Sequence, residues 1–238
     1  MNGTGAPQAA KPERDFTLET EDVTAAANHD QPAPPHKDDV LVRSDRDAWQ
    51  MNACLNLSRE SDYGFRHGYR RAGFILAEWV NNNGVEQDSL VFPIVHSYRH
   101  HVELMLKHLI RSGCSLLGRE ATSQETGTLR CHSLDRLWTA FMPILAAVSE
   151  ASAMSPPPDD QLAGVESYIR QITAVDPGSD SFRYAYSRDG TPSIVQEITH
   201  LKLLVFANHM ERLCDYLDGI DGCFTWYKDG LDEMCANL

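Results

Sequence analysis

A stripe of six polar side chains between residues 96 and 111 contains groups that bind anions and transfer protons. At about 100° per residue of an α-helix, all six lie within about 60° of His96. They are His96, Arg99, His100, Glu103, Lys107 and Arg111. Arginine suits a phosphate, histidine moves protons and a carboxylate orients either one. The spacing therefore predicts a site in which Arg99, His100 and Glu103 are catalytic and His96 and Lys107 bind the ligand.

The same stripe has two other interpretations. Glu103 lies one turn after Arg99 and one turn before Lys107, so the stripe could be a solvated face with weak i, i+4 ion pairs. His96, His100 and Glu103 also have the spacing of metal ligands on a helix, but Arg99 projects into the same patch and would repel a cation. We therefore expect no metal, and the sequence predicts no cofactor.

A second basic patch precedes the stripe at helical spacing. It consists of Arg66, His67, Arg70 and Arg71. Arg66 and Arg70 are predicted to contact a phosphate of a nucleic acid or another ligand, and the alternative is a solvated charged face. His132 follows Cys131, which could suggest a thiol catalyst, but we interpret His132 as the start of a helix.

The charge of the chain restricts where an anion can bind. The 238 residues contain 21 Lys and Arg against 34 Asp and Glu, for a net charge of −13. Such acidity counts against sequence-independent binding of nucleic acid, which relies on basic surface. Residues 48–135 are different, because they carry nine basic and nine acidic groups and six of the ten histidines. An anion is therefore expected to bind in this middle segment.

Several classes of protein are disfavoured by missing motifs. No apolar run approaches the roughly 18 residues of a membrane span, and residues 1–16 contain no apolar core of a secretory signal. The six cysteines form no C-x-x-C pair, which is typical of reduced thiols. The motifs of P-loop, Rossmann and α/β-hydrolase proteins are absent. These observations predict a cytoplasmic protein without a membrane segment.

Composition and periodicity predict the organisation of the chain. Residues 1–47 hold five prolines and one aromatic residue, which predicts a disordered acidic tail before a single helical domain at 48–238. Apolar spacing predicts helices over 59–82, 93–111, 132–149, 161–173, 193–218 and 224–235, with Gly113 as a stop and Pro143 as a kink or break. The only β-like run is 182–186. The predicted fold is an all-α, up-and-down helical bundle.

Three ordered signatures carry a resemblance to a known family. The first is Glu103-x-x-Leu106-Lys107, and the segment from Tyr63 to Lys107 that contains it also carries the elements of the bacterial branch: Gly68-Tyr69-x-x-Ala72 with Leu76, Asp88-x-Leu90-Val91-Phe92-Pro93-Ile94 and Tyr98-Arg99-His100-x-x-Glu103-Leu104-x-Leu106-Lys107. The second is His132-x-Leu134-x-x-Leu137-Trp138, and the third is Phe182-Arg183-Tyr184. Across roughly residues 60–215, the chain resembles an uncharacterised bacterial branch of the HEPN-like domain superfamily.

This resemblance implies a helical bundle that forms a homodimer, and many such domains are metal-independent ribonucleases in toxin–antitoxin or antiphage systems. The family's nuclease motif, an arginine followed after four to six residues by a histidine, is absent from this sequence. Two expectations remain. In the first, the chain binds RNA or another phosphorylated ligand and cleaves it through a relocated site at Arg99, His100 and Glu103. Alternatively, it is a non-catalytic helical module for dimerisation or for binding an operon-encoded protein.

Overall fold

A computed structural model describes residues 35–38, 41, 50, 52–53, 55, 61–194 and 198–236. The chain divides into two compact units, Met1–Cys54 and Leu55–Leu238. Most of the predicted tail lies outside the described residues, so its disorder and the boundary at residue 47 stay predictions. The six helices found among the described residues and the predicted site residues lie in the second unit.

The described residues of this unit form an all-α helical bundle, which confirms the predicted fold class. Its six helices are α1 (Ser61–Asn83), α2 (Gln87–Leu116), α3 (Ser123–Leu129), α4 (Leu134–Ala151), α5 (Asp159–Val175) and α6 (Leu203–Ala236). Helix α2 packs against α1, α4 and α6, and α5 packs against α4. Within the described range, no helix contains a stretch that is long and apolar enough to cross a bilayer.

Helix α2 is the centre of the bundle. Its buried apolar residues recur every three or four positions and contact neighbours on several sides; they include Ile94, Tyr98, Val102, Met105, Leu106, Leu109 and Ile110. A helix that is apolar over so wide an arc must be surrounded by other helices to remove those side chains from water. Three members of the polar stripe, Arg99, Glu103 and Lys107, are therefore held inside the protein rather than on an outer surface.

Helix α2 is longer at both ends than the sequence predicts. It begins at Gln87, so Pro93 lies inside it, and it passes through Gly113 to Leu116. Gly113 does not end the helix because it lies where α2 meets α4 and α6: a methyl group there would overlap Ile144 and approach Phe224 to 3.2 Å. The glycine permits close packing instead of supplying a stop.

Other predicted boundaries also need correction. Helix α4 is one continuous element in spite of Pro143, whose ring is exposed. Residues 182–186 form turns and a single bridge between Tyr186 and Pro192 rather than a strand. The two predicted C-terminal helices are one 34-residue helix that starts at Leu203, because buried residues continue at helical spacing past Gly219 and Gly222 to Phe224.

Helix α3 was not predicted, and its start is fixed by a capping box. The Thr122 hydroxyl accepts from the backbone N–H of Glu125, and the Glu125 carboxylate accepts from the backbone N–H of Thr122 at 2.6 Å. Arg119 donates two hydrogen bonds of 2.9 Å to the same carboxylate. The hydrogen bond from Arg119 holds the pKa of Glu125 down to about 2, against the opposing effect of burial.

This shift predicts a pH dependence of stability. The folded pKa of Glu125 is below its unfolded value, so the stabilisation is present above about pH 4.5 and is lost as the pH falls towards about 2. Glu125→Gln is expected to lower the free energy of unfolding by about 1 kcal/mol at pH 7, with the difference from wild type shrinking below pH 4.5. Urea unfolding at pH 7, 5 and 3.5 measures this. Glu120→Gln is the control, and a deficit in Glu125→Gln that stays constant with pH would contradict the assignment.

Candidate functional site

Arg99 lies near the middle of α2 and is fully buried, with 0 % of its side chain exposed. Its Nε lies 3.0 Å from a carboxylate oxygen of Asp176 and donates to the Asp176 carbonyl at 3.2 Å. One terminal nitrogen donates to Glu103 at 3.1 Å, and the other donates to the His132 carbonyl at 2.7 Å. Every nitrogen of the guanidinium therefore has a partner within the chain.

Glu103 connects two cations of the stripe, Arg99 and Lys107. Its Oε2 accepts from Arg99, and its Oε1 accepts from Lys107 Nζ at 2.8 Å. Its side chain is only 1 % exposed. Burial by itself would raise the pKa of Glu103, but the hydrogen bonds and charges of Lys107 and His132 outweigh it, so the pKa lies below its ordinary value. The carboxylate is thus an ionised centre that compensates buried positive charge.

Two partners in this network come from distant parts of the chain. His132 lies just before α4 begins, and its Nδ1 is 2.9 Å from Glu103 Oε1. Asp176 ends α5, and its Oδ1 accepts from the backbone N–H groups of Asp180 and Ser181, which fixes the carboxylate beside Arg99. We call Arg99, Glu103, Lys107, His132 and Asp176 the buried ion network. It joins α2 to the ends of α4 and α5.

The two histidines of the stripe lie beside this network. His96 and His100 stack on each other with ring centroids 5.6 Å apart, and the edge of Tyr69 from α1 contacts His100 at 4.4 Å. Burial lowers the pKa of both imidazoles, and at His96 the positive charge of Arg183 lowers it further. At His100 the negative charge of Glu103 opposes the lowering of the pKa, because the ring lies close enough to feel the carboxylate. Both rings are therefore neutral near pH 7.

This geometry bears on the role predicted for Arg99. The side chain has no exposed surface and three partners in the chain, so it presents no N–H group to a phosphate in this conformation. Lys107 is also largely buried and directed to Glu103, while Arg111 is exposed. The structure therefore joins Arg99, Glu103 and Lys107, places His96 and His100 beside them and leaves Arg111 outside.

Arg66 is not part of a free basic patch. It is buried, and its guanidinium lies 3.4 Å from Asp221 of α6 and 3.6 Å from Asp62. His108 bridges the same two carboxylates at 2.9 and 3.0 Å. Burial by itself would raise the pKa of Asp221, but the hydrogen bond and charge of His108 reverse the effect and lower it. Two acids therefore share the positive charge of Arg66, and its ligand contact stays a prediction.

Arg70 is neutralised in the same way. It donates to Glu211 at 3.0 and 2.5 Å, to Asp215 at 2.5 Å and to Asp218 at 2.6 Å, all on α6. Three carboxylates around one guanidinium make this surface negative. Hydrogen bonds to Glu211 and Asp215 overcome the effect of burial and raise the pKa of Arg70 above its ordinary value. In this structure Arg70 therefore makes helix-to-helix ion pairs, and its phosphate contact stays a prediction.

A concave site lies elsewhere in the bundle. A cavity of about 1020 Å³ opens between the start of α2, the end of α5 and the start of α6. Its walls are mainly apolar, with Phe92, Phe182 and Phe206 among them, and the Tyr168 hydroxyl and His209 Nδ1 meet there at 2.6 Å. None of the predicted catalytic or ligand-binding residues lines this cavity.

Neither a metal centre nor a known relative identifies the site. In the part of the chain that the structure describes, no group of three or more His, Cys, Asp or Glu side chains is placed to hold a metal ion. Comparisons with protein-family models, with curated proteins and with solved structures found no match. The HEPN-like resemblance therefore stays a prediction.

Proposed function

We propose that this protein is a non-catalytic helical module that binds another protein chain. The observation that carries the proposal is the burial of Arg99 with all its nitrogens paired inside the chain. A phosphate-binding arginine must present N–H donors to its ligand, and this one presents none. The stripe then has a structural role, which is to connect α2 to the start of α4 through Glu103 and to the end of α5 through Asp176.

Charge supports the same proposal. The other arginines predicted to contact a ligand, Arg66 and Arg70, are surrounded by carboxylates of α1 and α6. With a net charge of −13, the chain offers little basic surface for the counterion release that drives nucleic-acid binding. The partner in this proposal is a second copy of the chain, as a homodimer, or an operon-encoded protein, in the cytoplasm.

A second candidate function rests on a different observation. His132 is 57 % exposed while its Nδ1 is held by Glu103, an arrangement that leaves Nε2 open to a ligand. A neutral imidazole can accept the proton of a ribose 2′-hydroxyl, and an imidazole that a carboxylate orients can deliver a proton to the leaving oxygen. We propose His100 as this base and His132 as this acid if the chain is a HEPN-like, metal-independent ribonuclease of a toxin or antiphage system.

One experiment distinguishes these two functions. Purified protein is incubated with total RNA, with and without a chelator, alongside His132→Gln, His100→Gln and the exposed control His200→Gln. The module proposal predicts intact RNA in every sample. Cleavage that ignores the chelator, is lost in the first two variants and persists in His200→Gln would overturn it in favour of the ribonuclease. Cleavage that the chelator abolishes would contradict both proposals and indicate a metal. Circular dichroism confirms that each variant is folded.

A further inference from the structure

Helix α1 carries an unpartnered row of residues in the described structure that is spaced like a coiled-coil seam. The row is Phe65, Gly68, Ala72, Ile75 and Trp79, with alternating intervals of three and four residues. At about 100° per residue these positions fall within an arc of about 80°. The side chain of Phe65 is 62 % exposed, that of Ile75 is 49 % exposed and that of Trp79 is 39 % exposed. We call this row the α1 seam.

The opposite side of α1 packs against the rest of the bundle. Gly73, Ala77 and Val80 face the bundle, and a methyl group on Gly73 would come within 3.0 Å of the Tyr98 ring. Gly68, in contrast, has no atom within 4 Å of an added methyl group. A glycine inside a helix destabilises the helix by about 1 kcal/mol relative to alanine. At position 68 no contact within this chain requires a glycine.

We propose that the α1 seam binds the α1 seam of a second copy of this chain in antiparallel orientation. This inference rests on the proposed function and names the surface and the geometry of the partner. Pairing about the point between Ala72 and Ile75 places Ala72 opposite Ile75 of the other copy. The same register places Gly68 opposite Trp79. Each large side chain then enters the space beside a small residue, and this complementarity gives Gly68 a physical role.

The flank of the seam carries charges that fit the same orientation. Arg71 and Glu78 are both exposed and lie seven residues apart on one edge, and the guanidinium of Arg71 sits 5.4 Å from the centre of the Phe74 ring. In an antiparallel pair, corresponding flank positions of the two helices face each other, so Arg71 of each copy meets Glu78 of the other. A parallel pair would not bring these charges together. The seam is thus self-complementary in size and in charge.

The length of α1 is sufficient for such an interface. Its 23 residues extend over about 34 Å at 1.5 Å per residue. A seam of two heptads with aromatic residues at its ends can bury the central hot spot of a dimer, where a few desolvated side chains carry most of the affinity. Trp79 and Ile75 are those anchors in this geometry.

The test is the mass of the full-length chain in sedimentation equilibrium. Wild type is expected at twice 26.6 kDa. Ile75→Asp is expected to be a folded monomer, with a dissociation constant raised by at least ~100-fold because a charge is buried against Ala72 of the other copy. Leu204→Asp is the matched control, since Leu204 is a similarly exposed residue of α6, and it is expected to stay dimeric.

Charge exchange tests the orientation. Arg71→Glu and Glu78→Arg are each expected to weaken the dimer, and the double variant Arg71→Glu/Glu78→Arg is expected to restore it. Failure of the double variant to restore the dimer would overturn the antiparallel register. A monomeric wild type, or a dimer that Ile75→Asp leaves intact, would overturn the seam itself and mean that another chain, residues 1–60 or nothing covers it. None of these results depends on RNA cleavage, so the seam and the proposed function fail separately.

Discussion

Replacing Glu103 with leucine is expected to lower the free energy of unfolding by about 3–5 kcal/mol. The substitution removes the one carboxylate that pairs with Arg99, Lys107 and His132. Arg99 keeps Asp176, but the Lys107 ammonium, which is largely buried, loses the carboxylate that accepts its hydrogen bond. A poorly solvated ion that loses its partner lowers the free energy of unfolding by far more than the intact pair raises it. Urea unfolding at pH 7 measures the loss.

A matched exposed pair provides the control for this prediction. Glu166 and Arg170 of α5 are also four residues apart and in contact at 2.6 Å, but both are more than half exposed. Glu166→Leu is expected to change stability by no more than about 0.5 kcal/mol, because water solvates the remaining arginine. An equally small effect at Glu103 would mean that the stripe is solvated, which is the alternative that the sequence left open.

Gly113→Ala is expected to lower the free energy of unfolding by about 1–3 kcal/mol, although alanine normally stabilises a helix. The added methyl group would overlap Ile144 and press on Phe224, which are buried in α4 and α6. Overpacking of this kind exceeds the gain of about 1 kcal/mol from helix propensity.

Gly164 of α5 is the control for that change. It is exposed and has no neighbour within 4 Å of an added methyl group, so Gly164→Ala is expected to stabilise the protein by about 0.5–1 kcal/mol. Opposite signs for the two alanine variants support the packing described for α2. Stabilisation by Gly113→Ala would show that α2, α4 and α6 do not meet at this position.

Most of the helices could be predicted from sequence because their signal is local. The apolar spacing of α1 and α4, with His132 as the predicted start of α4, placed these elements to within about two residues. The errors arise where long-range packing decides. Glycine is a residue type that often ends helices, yet Gly113 is a contact point between helices. The glycines of α6 remain helical because buried residues continue on both sides of them.

The candidate site was predictable only in part, for the same reason. The pairing of Glu103 with Arg99 and Lys107 follows from i, i+4 spacing, and the structure confirms both contacts. The partners His132 and Asp176 lie 29 residues from Glu103 and 77 residues from Arg99, so no local pattern links them to the stripe. Local helix geometry also does not show whether the stripe faces solvent or the interior of the bundle. That direction depends on which helices cover α2, and in this structure they bury Arg99 and Lys107.

The most direct test of the buried ion network is a double-mutant cycle on Arg99 and Glu103. The free energies of unfolding of wild type, Arg99→Met, Glu103→Leu and the double variant are measured in urea. A buried, paired network predicts that the double variant loses less stability than the two single variants together, with a coupling energy of about 1–3 kcal/mol. Two small losses that add to within about 0.5 kcal/mol would contradict the network and make Arg99 a free, ligand-accessible cation again.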